Sequence, residues 1–263
     1  MLAVRTDYLS DTNDPHPHLR RIAEAGFSHV HWGHQSMTDL VYTPVDVERI
    51  KRQLDELGLK LLDLHGAVGP TMCWWSSDDA QRQGGVDLVR NRLRMTADLG
   101  GGVVIMHVPG GNDQSGWDHL HRSLDELRAD VGATGVRIAL ENGPMDAIGR
   151  MLDSFPADAV GMCYDSGHGN LPKADGAAHL DRLKDRLIAV HLHDNDGSGD
   201  QHRTPFRGNI DWARLTALIA ASSYDKPLSL ELALGDDEDE AAFLQTAFTV
   251  GAGLTEMVER NRP

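Results

Sequence analysis

The chain has 263 residues, 40% of them apolar, and a formal charge of −15. That length suits one large α/β domain, no Pro/Ser-rich linker divides it, and no apolar run reaches the about 18 to 20 residues of a membrane span. The acidic balance would repel a phosphate backbone, and an aromatic share of 5% offers few platforms for bases, so nucleic acid is a disfavoured partner.

Residues 2–6 read as a first strand, entered almost directly from Met1 without the basic and apolar regions of a signal peptide. The two cysteines, Cys73 and Cys163, are too few for a disulfide framework, and Cys163 falls inside a later strand as a small buried residue. A soluble cytoplasmic protein is the expectation. Leu19, Ile22 and Ala23 supply the stripe of the next helix, closed by Gly26, and residues 27–32 form strand two. Thr43-Pro44-Val45-Asp46 combines an N-cap, a proline at the first helical position and an acid at the third, and Val47, Ile50, Leu54 and Leu57 give that helix one buried face. Strand three spans 60–65. A long irregular stretch with Cys73, Trp74 and Trp75 follows, suited either to a lid or to packing against a neighbouring helix or subunit.

A helix over 86–99 ends in three glycines and feeds strand four, 103–107. Leu120, Leu124 and Leu127 mark a further helix before strand five, 136–141. Strand six spans 159–164, strand seven 187–192 and strand eight 227–232; Asn209-Ile210-Asp211-Trp212 opens the helix between the last two, and a final helix runs from Asp239. Strands and helices alternate at roughly 25 to 40 residues, the period of a single-domain (β/α)8 TIM barrel, with parallel strands and functional groups at their C-terminal ends. A doubly wound open sheet explains the alternation as well, but it would not bring six strand ends around one point.

Those ends carry the functional signal. Strand three ends on His65, strand four on His107, strand five on Glu141, strand six leads into Asp165 and His168, strand seven into His191, His193 and Asp194, and strand eight reaches Glu231. Glu141, Asp165, His191 and Glu231 together carry a formal −3, and gathering them at a barrel mouth costs several kcal/mol unless a cation neutralises them. A divalent ion answers that. The oxygen-rich set suits Mn²⁺, Mg²⁺ or Co²⁺, and further imidazoles would move the preference toward Zn²⁺. His193 shares the parity of His191 along its strand and is the rival ligand.

Leu140-Glu141-Asn142, Asp165-Ser166-Gly167-His168, His191-Leu192-His193-Asp194 and Gly208-Asn209-Ile210-Asp211-Trp212, with Glu231 closing strand eight, resemble the xylose-isomerase-like superfamily of TIM barrels. That group includes sugar isomerases and epimerases, inosose dehydratases and apurinic-site endonucleases. The resemblance implies that Glu141, Asp165, His191 and Glu231 hold one metal and that Glu141 and Glu231 also move the proton. The expected activity is isomerisation or epimerisation of a polyhydroxylated small molecule through an enediolate; whether the chain assembles with further copies stays open.

Two alternatives come with the resemblance, and a third stands apart from it. In the endonucleases the positions of His65, His107, His168, Asp200 and His202 complete a three-zinc cluster; in the sugar enzymes such histidines serve substrate hydroxyls, the role expected here. An inosose-type dehydratase is the second. A barrel that only binds sugar, or acts as a subunit, is the non-enzymatic reading, and it sits poorly with an acid quartet that has lost no member. Two departures stand out: His107 is followed by Val108-Pro109-Gly110, and Gly197 occupies the position where ketose 3-epimerases carry an arginine six residues past the strand-seven histidine. The second points to another sugar, a keto acid or an inositol derivative.

Overall fold

Short apolar segments with β-branched residues become strands wherever a helix can return the chain to the same end of the sheet. In a computed structural model, which describes residues 1–9, 14–111, 113–172 and 174–262, the described residues form eight such strands. They are β1 (Leu2–Arg5), β2 (His29–Trp32), β3 (Lys60–His65), β4 (Val103–Met106), β5 (Arg137–Glu141), β6 (Val160–Asp165), β7 (Leu187–His191) and β8 (Leu228–Leu230). All pairings are parallel, in the order β7-β6-β5-β4-β3-β2-β1-β8. The two outer strands meet through Leu192 and Leu230: Leu192 N donates to Ser229 O at 2.9 Å and Glu231 N to Leu192 O at 3.1 Å. This short ladder closes the (β/α)8 TIM barrel and brings Glu231 beside His191. The open doubly wound sheet is thereby excluded.

The helices are α1 (His16–Glu24), α2 (Pro44–Glu56), α3 (Asp79–Asp98), α4 (Gln114–Thr134), α5 (Met145–Ser154), α6 (Ser166–Gly169), α7 (Gly176–Leu183), α8 (Trp212–Ala220) and α9 (Glu240–Asn261). Thr43 and Asp46 form the expected reciprocal cap on α2. Helix α3 starts well before Val86, because Asp78 accepts from Gln81 N at 3.0 Å and the Gly84-Gly85 pair lies inside the helix rather than ahead of it. A Cβ on Gly85 would stand 2.3 Å from Trp74 N, so this glycine admits the Trp74 backbone. Of the two roles open to the tryptophans, Trp74 takes packing. It is fully buried, its Nε1 donates to His107 O at 3.1 Å, and Ser123 on α4 donates to its carbonyl at 2.6 Å.

Inside the barrel, alternate residues of each strand face one another. One layer below Glu141, Asp165 and His191 lie Ala139, Cys163 and Ala189, in a buried apolar cluster with Val103, Ile105 and Ile188. Burial pushes the Cys163 thiol up to about 12, so it stays protonated and inert, as the sequence suggested. No helix among the described residues is long and apolar enough to cross a membrane.

Candidate active site

The strand ends converge. Glu141, Asp165, His191 and Glu231 are all buried and offer ligand atoms within 4.8 Å of one another. His191 Nδ1 stands at the centre, 3.0 Å from Glu141 Oε1, 3.0 Å from Glu231 Oε2 and 3.9 Å from Asp165 Oδ2. Asn142 fixes Asp165 from strand β5: its Nδ2 donates to Asp165 O at 3.0 Å, and its side-chain oxygen accepts from Asp165 N. Asp165 Oδ1 also accepts from His168 N at 2.7 Å, which caps α6 and brings the His168 ring to the mouth.

Two imidazole groups flank this quartet. On one side His65, whose Nδ1 donates to Gly66 O at 3.1 Å, lies 3.6 Å from Glu141 Oε2, and His107 lies 3.0 Å from the same oxygen, the two rings meeting edge to face at 4.7 Å. On the other side His193, Asp200 and His202 come together. His193 Nε2 is 3.0 Å from both Asp165 oxygens, and its ring stacks on His202 at 4.1 Å. His202 is 3.0 Å from Asp200 Oδ2 and 2.8 Å from Glu231 O, while His168 Nε2 lies 3.4 Å from Asp200 Oδ2. His191 faces all three carboxylates, and His193 joins the outer group through Asp165.

Electrostatics follow from this packing. Burial works against a charge on Glu141, but the imidazoles of His107 and His191 outweigh it and hold the carboxyl well below its usual range. Glu231 shows the same balance, with His191 and Arg5 overcoming burial. On the outer side burial lowers His168 and His202, yet Asp165 and Asp200 raise the first to about 10, and Asp200 with Glu231 raises the second to about 9. The donor set fits a divalent cation. Three buried carboxylates share one small space, and Glu141 Oε2 has no hydrogen bond although His107 Nε2 lies 3.0 Å away. Glu141, Asp165, His191 and Glu231 would hold such an ion, and the nearby imidazoles widen the set of metals the site accommodates.

Three contributors at the site went unread in the sequence. Arg5 at the end of β1 grips Asp7 with two bonds, Nε to Oδ1 at 3.1 Å and Nη2 to Oδ2 at 2.6 Å, and extends Nη1 to 3.6 Å from Glu231 Oε1. His31 on β2 and Asp63 on β3 are paired strand positions with their side chains 2.8 Å apart inside the barrel. The signal for all three was inward parity: Arg5 follows Ala3, His31 follows His29 and Asp63 precedes His65 at intervals of two. Asp194 proves to be a scaffold. Its carboxylate accepts from Trp212 Nε1 at 2.9 Å and from Ile210 N at 3.3 Å, and so ties the Asn209-to-Trp212 motif to the end of β7. Gly208 lets that loop close, since a Cβ there would meet Asn195 O at 2.1 Å. Gly197 has φ +82°, a left-handed backbone that an arginine would adopt only with strain.

A closed parallel barrel with carboxylates and imidazoles gathered at its C-terminal mouth is a TIM barrel with its functional groups where that fold carries them. The chain matches the xylose isomerase-like TIM barrel family over residues 19–247 and belongs to it. The protein y4fM of Sinorhizobium fredii, described as uncharacterized, is 32% identical over 278 residues, spanning 93% of this chain and 89% of that one. An L-ribulose 3-epimerase of Mesorhizobium japonicum is 24% identical over 247 residues, 87% of this chain and 79% of the relative. A solved L-ribulose 3-epimerase structure superposes with a TM-score of 0.80 at 18% identity, covering 98% of this chain and 96% of that one, a likeness of fold.

Proposed function

We propose that the protein is a metal-dependent isomerase or epimerase that moves a proton next to the carbonyl of a polyhydroxylated small molecule, with a keto sugar as the substrate class. The observation that carries this reading is that Glu141 and Glu231, from different strands, each place an oxygen 3.0 Å from His191 Nδ1. A divalent ion held by Glu141, Asp165, His191 and Glu231 would acidify the C–H beside a bound carbonyl and stabilise the charge that develops on oxygen. The chain's own groups do the rest. Glu141 and Glu231 come from different strands and are both held ionised by their neighbours, so either can accept the proton from one face of the carbon; the same carboxyl then returns it, or the opposite one does after it has itself taken a proton from solvent. His107 and His168 are the partly exposed imidazoles at the mouth and would bind substrate hydroxyls, and His65 backs His107. The 24% identity with an L-ribulose 3-epimerase supports a ketose. The glycine at position 197 leaves the particular sugar open.

The test is solvent exchange. Metal-loaded protein incubated in D₂O with a panel of ketoses, keto acids and inosose compounds should place deuterium on the carbon beside the carbonyl of at least one. A substrate turned over without exchange and without a primary isotope effect at that carbon would remove proton transfer as the chemistry; loss of water would instead identify a dehydratase.

The flanking groups favour a second reading, metal-dependent phosphodiester hydrolysis, because His65 with His107 and Glu141, and His193 with Asp200 and His202, each have the donor set of a further ion. Against it stands the charge of −15, which disfavours a DNA backbone. Incision of abasic-site DNA by metal-replete protein, abolished in Glu141→Gln, would reverse the ranking.

A further inference from the structure

Beneath the quartet, on the side of β2 and β3, lies a pair that the proposed chemistry leaves unused. His31 and Asp63 are buried in the barrel interior at paired positions, and His31 Nδ1 sits 2.8 Å from Asp63 Oδ1. Asp63 Oδ1 accepts from Nδ1 at this contact, which leaves Nε2 on the far side of the ring, turned away from Asp63. That nitrogen is buried and has no hydrogen-bond partner. It faces Glu231 Oε1 at 4.0 Å, and its ring meets the His191 ring edge on at 4.5 Å. Arg5 Nη1 also reaches that oxygen, at 3.6 Å, so the orphan at this point is the His31 nitrogen itself, a buried ligand atom beside two members of the quartet. His31, His191 and Glu231 offer ligand atoms within 4.8 Å of one another, and two of the three are shared with the quartet.

We infer that His31 is a fifth protein ligand of the metal centre, supplied from β2 and oriented by Asp63. The arrangement is that of a carboxylate that fixes a histidine's tautomer and ring angle so that the opposite nitrogen points at the ion. A second imidazole among three carboxylates moves the site from the hard-cation end toward Co²⁺ and Zn²⁺. This inference rests on the quartet being a metal centre, and it concerns its composition only.

The experiment uses Co²⁺ as the probe and reads binding and coordination rather than turnover. Wild-type protein, stripped with chelator and titrated with Co²⁺, should develop a visible spectrum at one equivalent. In His31→Gln the spectrum should change in intensity and band position, and Co²⁺ should bind at least ~10-fold more weakly; Asp63→Asn should weaken binding in the same direction by ~10-fold or more, as loss of an orienting carboxylate does. A folded His31→Gln protein whose spectrum matches the wild type overturns the inference, whatever its affinity. Wild-type protein that binds no Co²⁺ overturns the metal centre itself, and the two failures are thereby distinct. Should His31→Gln not fold, the same titration of Asp63→Asn decides the matter: a changed Co²⁺ spectrum supports the inference and one identical to the wild type refutes it.

Discussion

Asp165 meets His193 with both carboxylate oxygens, each 3.0 Å from Nε2, so the acid that completes the quartet is also held by the outer imidazole group. The outer group therefore sets how Asp165 presents itself. His193→Ala should weaken divalent-ion binding at the quartet by ~10- to 100-fold although His193 is not one of its four members. Calorimetric titration with Mn²⁺ checks this, and an unchanged affinity would show Asp165 to be fixed by Asn142 and the His168 amide without His193.

Glu141 and Glu231 are expected to act on the substrate as well as on the ion. Glu141→Gln and Glu231→Gln should each lower turnover by at least ~10²-fold on whichever substrate shows exchange, with circular dichroism unchanged. A variant that keeps turnover while losing metal would assign the proton transfer to another group.

The outer cluster makes the metal-free protein sensitive to pH. His168 and His202 have folded-state values of about 10 and 9 against 6.5 unperturbed, so their contribution is complete below about pH 6.5 and is lost as pH rises through 9 to 10. Asp200 is depressed: burial opposes its charge, but His168 and His202 outweigh that, and its contribution is present above about pH 4 and lost in acid. Chelator-treated protein should thus melt highest near pH 5 to 6 and progressively lower toward pH 10, and Asp200→Asn should flatten the alkaline side of that curve.

Much of this site was legible before any coordinates, because each quartet member terminates an apolar strand and strand ends in a parallel barrel share one face. The same rule hid Asp63 and His31. Asp63 sits inside the run Leu61-Leu62-Asp63-Leu64, where a strand-end search passes over it, and its partner is fixed only by the β2–β3 register, which shifts between Val30 and His31. Helix α5 has its stripe in Met145, Ile148, Met151 and Leu152, within ten residues, and α7 buries only Gly176 and Leu180. Helix α6 has four residues and exists because Asp165 caps it. The role of Asp194 required the contact with Trp212, eighteen positions away, that only folding brings about.

That contact has its own consequence. Gly208→Ala would drive a Cβ into the Asn195 carbonyl, backbone against backbone, and should cost about 1 to 3 kcal/mol of stability by urea denaturation. Because none of the four quartet residues lies in the loop between Asn195 and Gly208, the stoichiometry of metal bound at the quartet should not change.

The most direct measurement of the central claim is the metal content of protein purified without chelator, taken together with its melting temperature before and after adding Mn²⁺ or Zn²⁺. Three buried carboxylates around one imidazole predict about one tightly bound divalent ion per chain, and a stripped protein that melts higher when the ion returns. No metal above background, with a melting temperature that neither ion moves, would contradict the account.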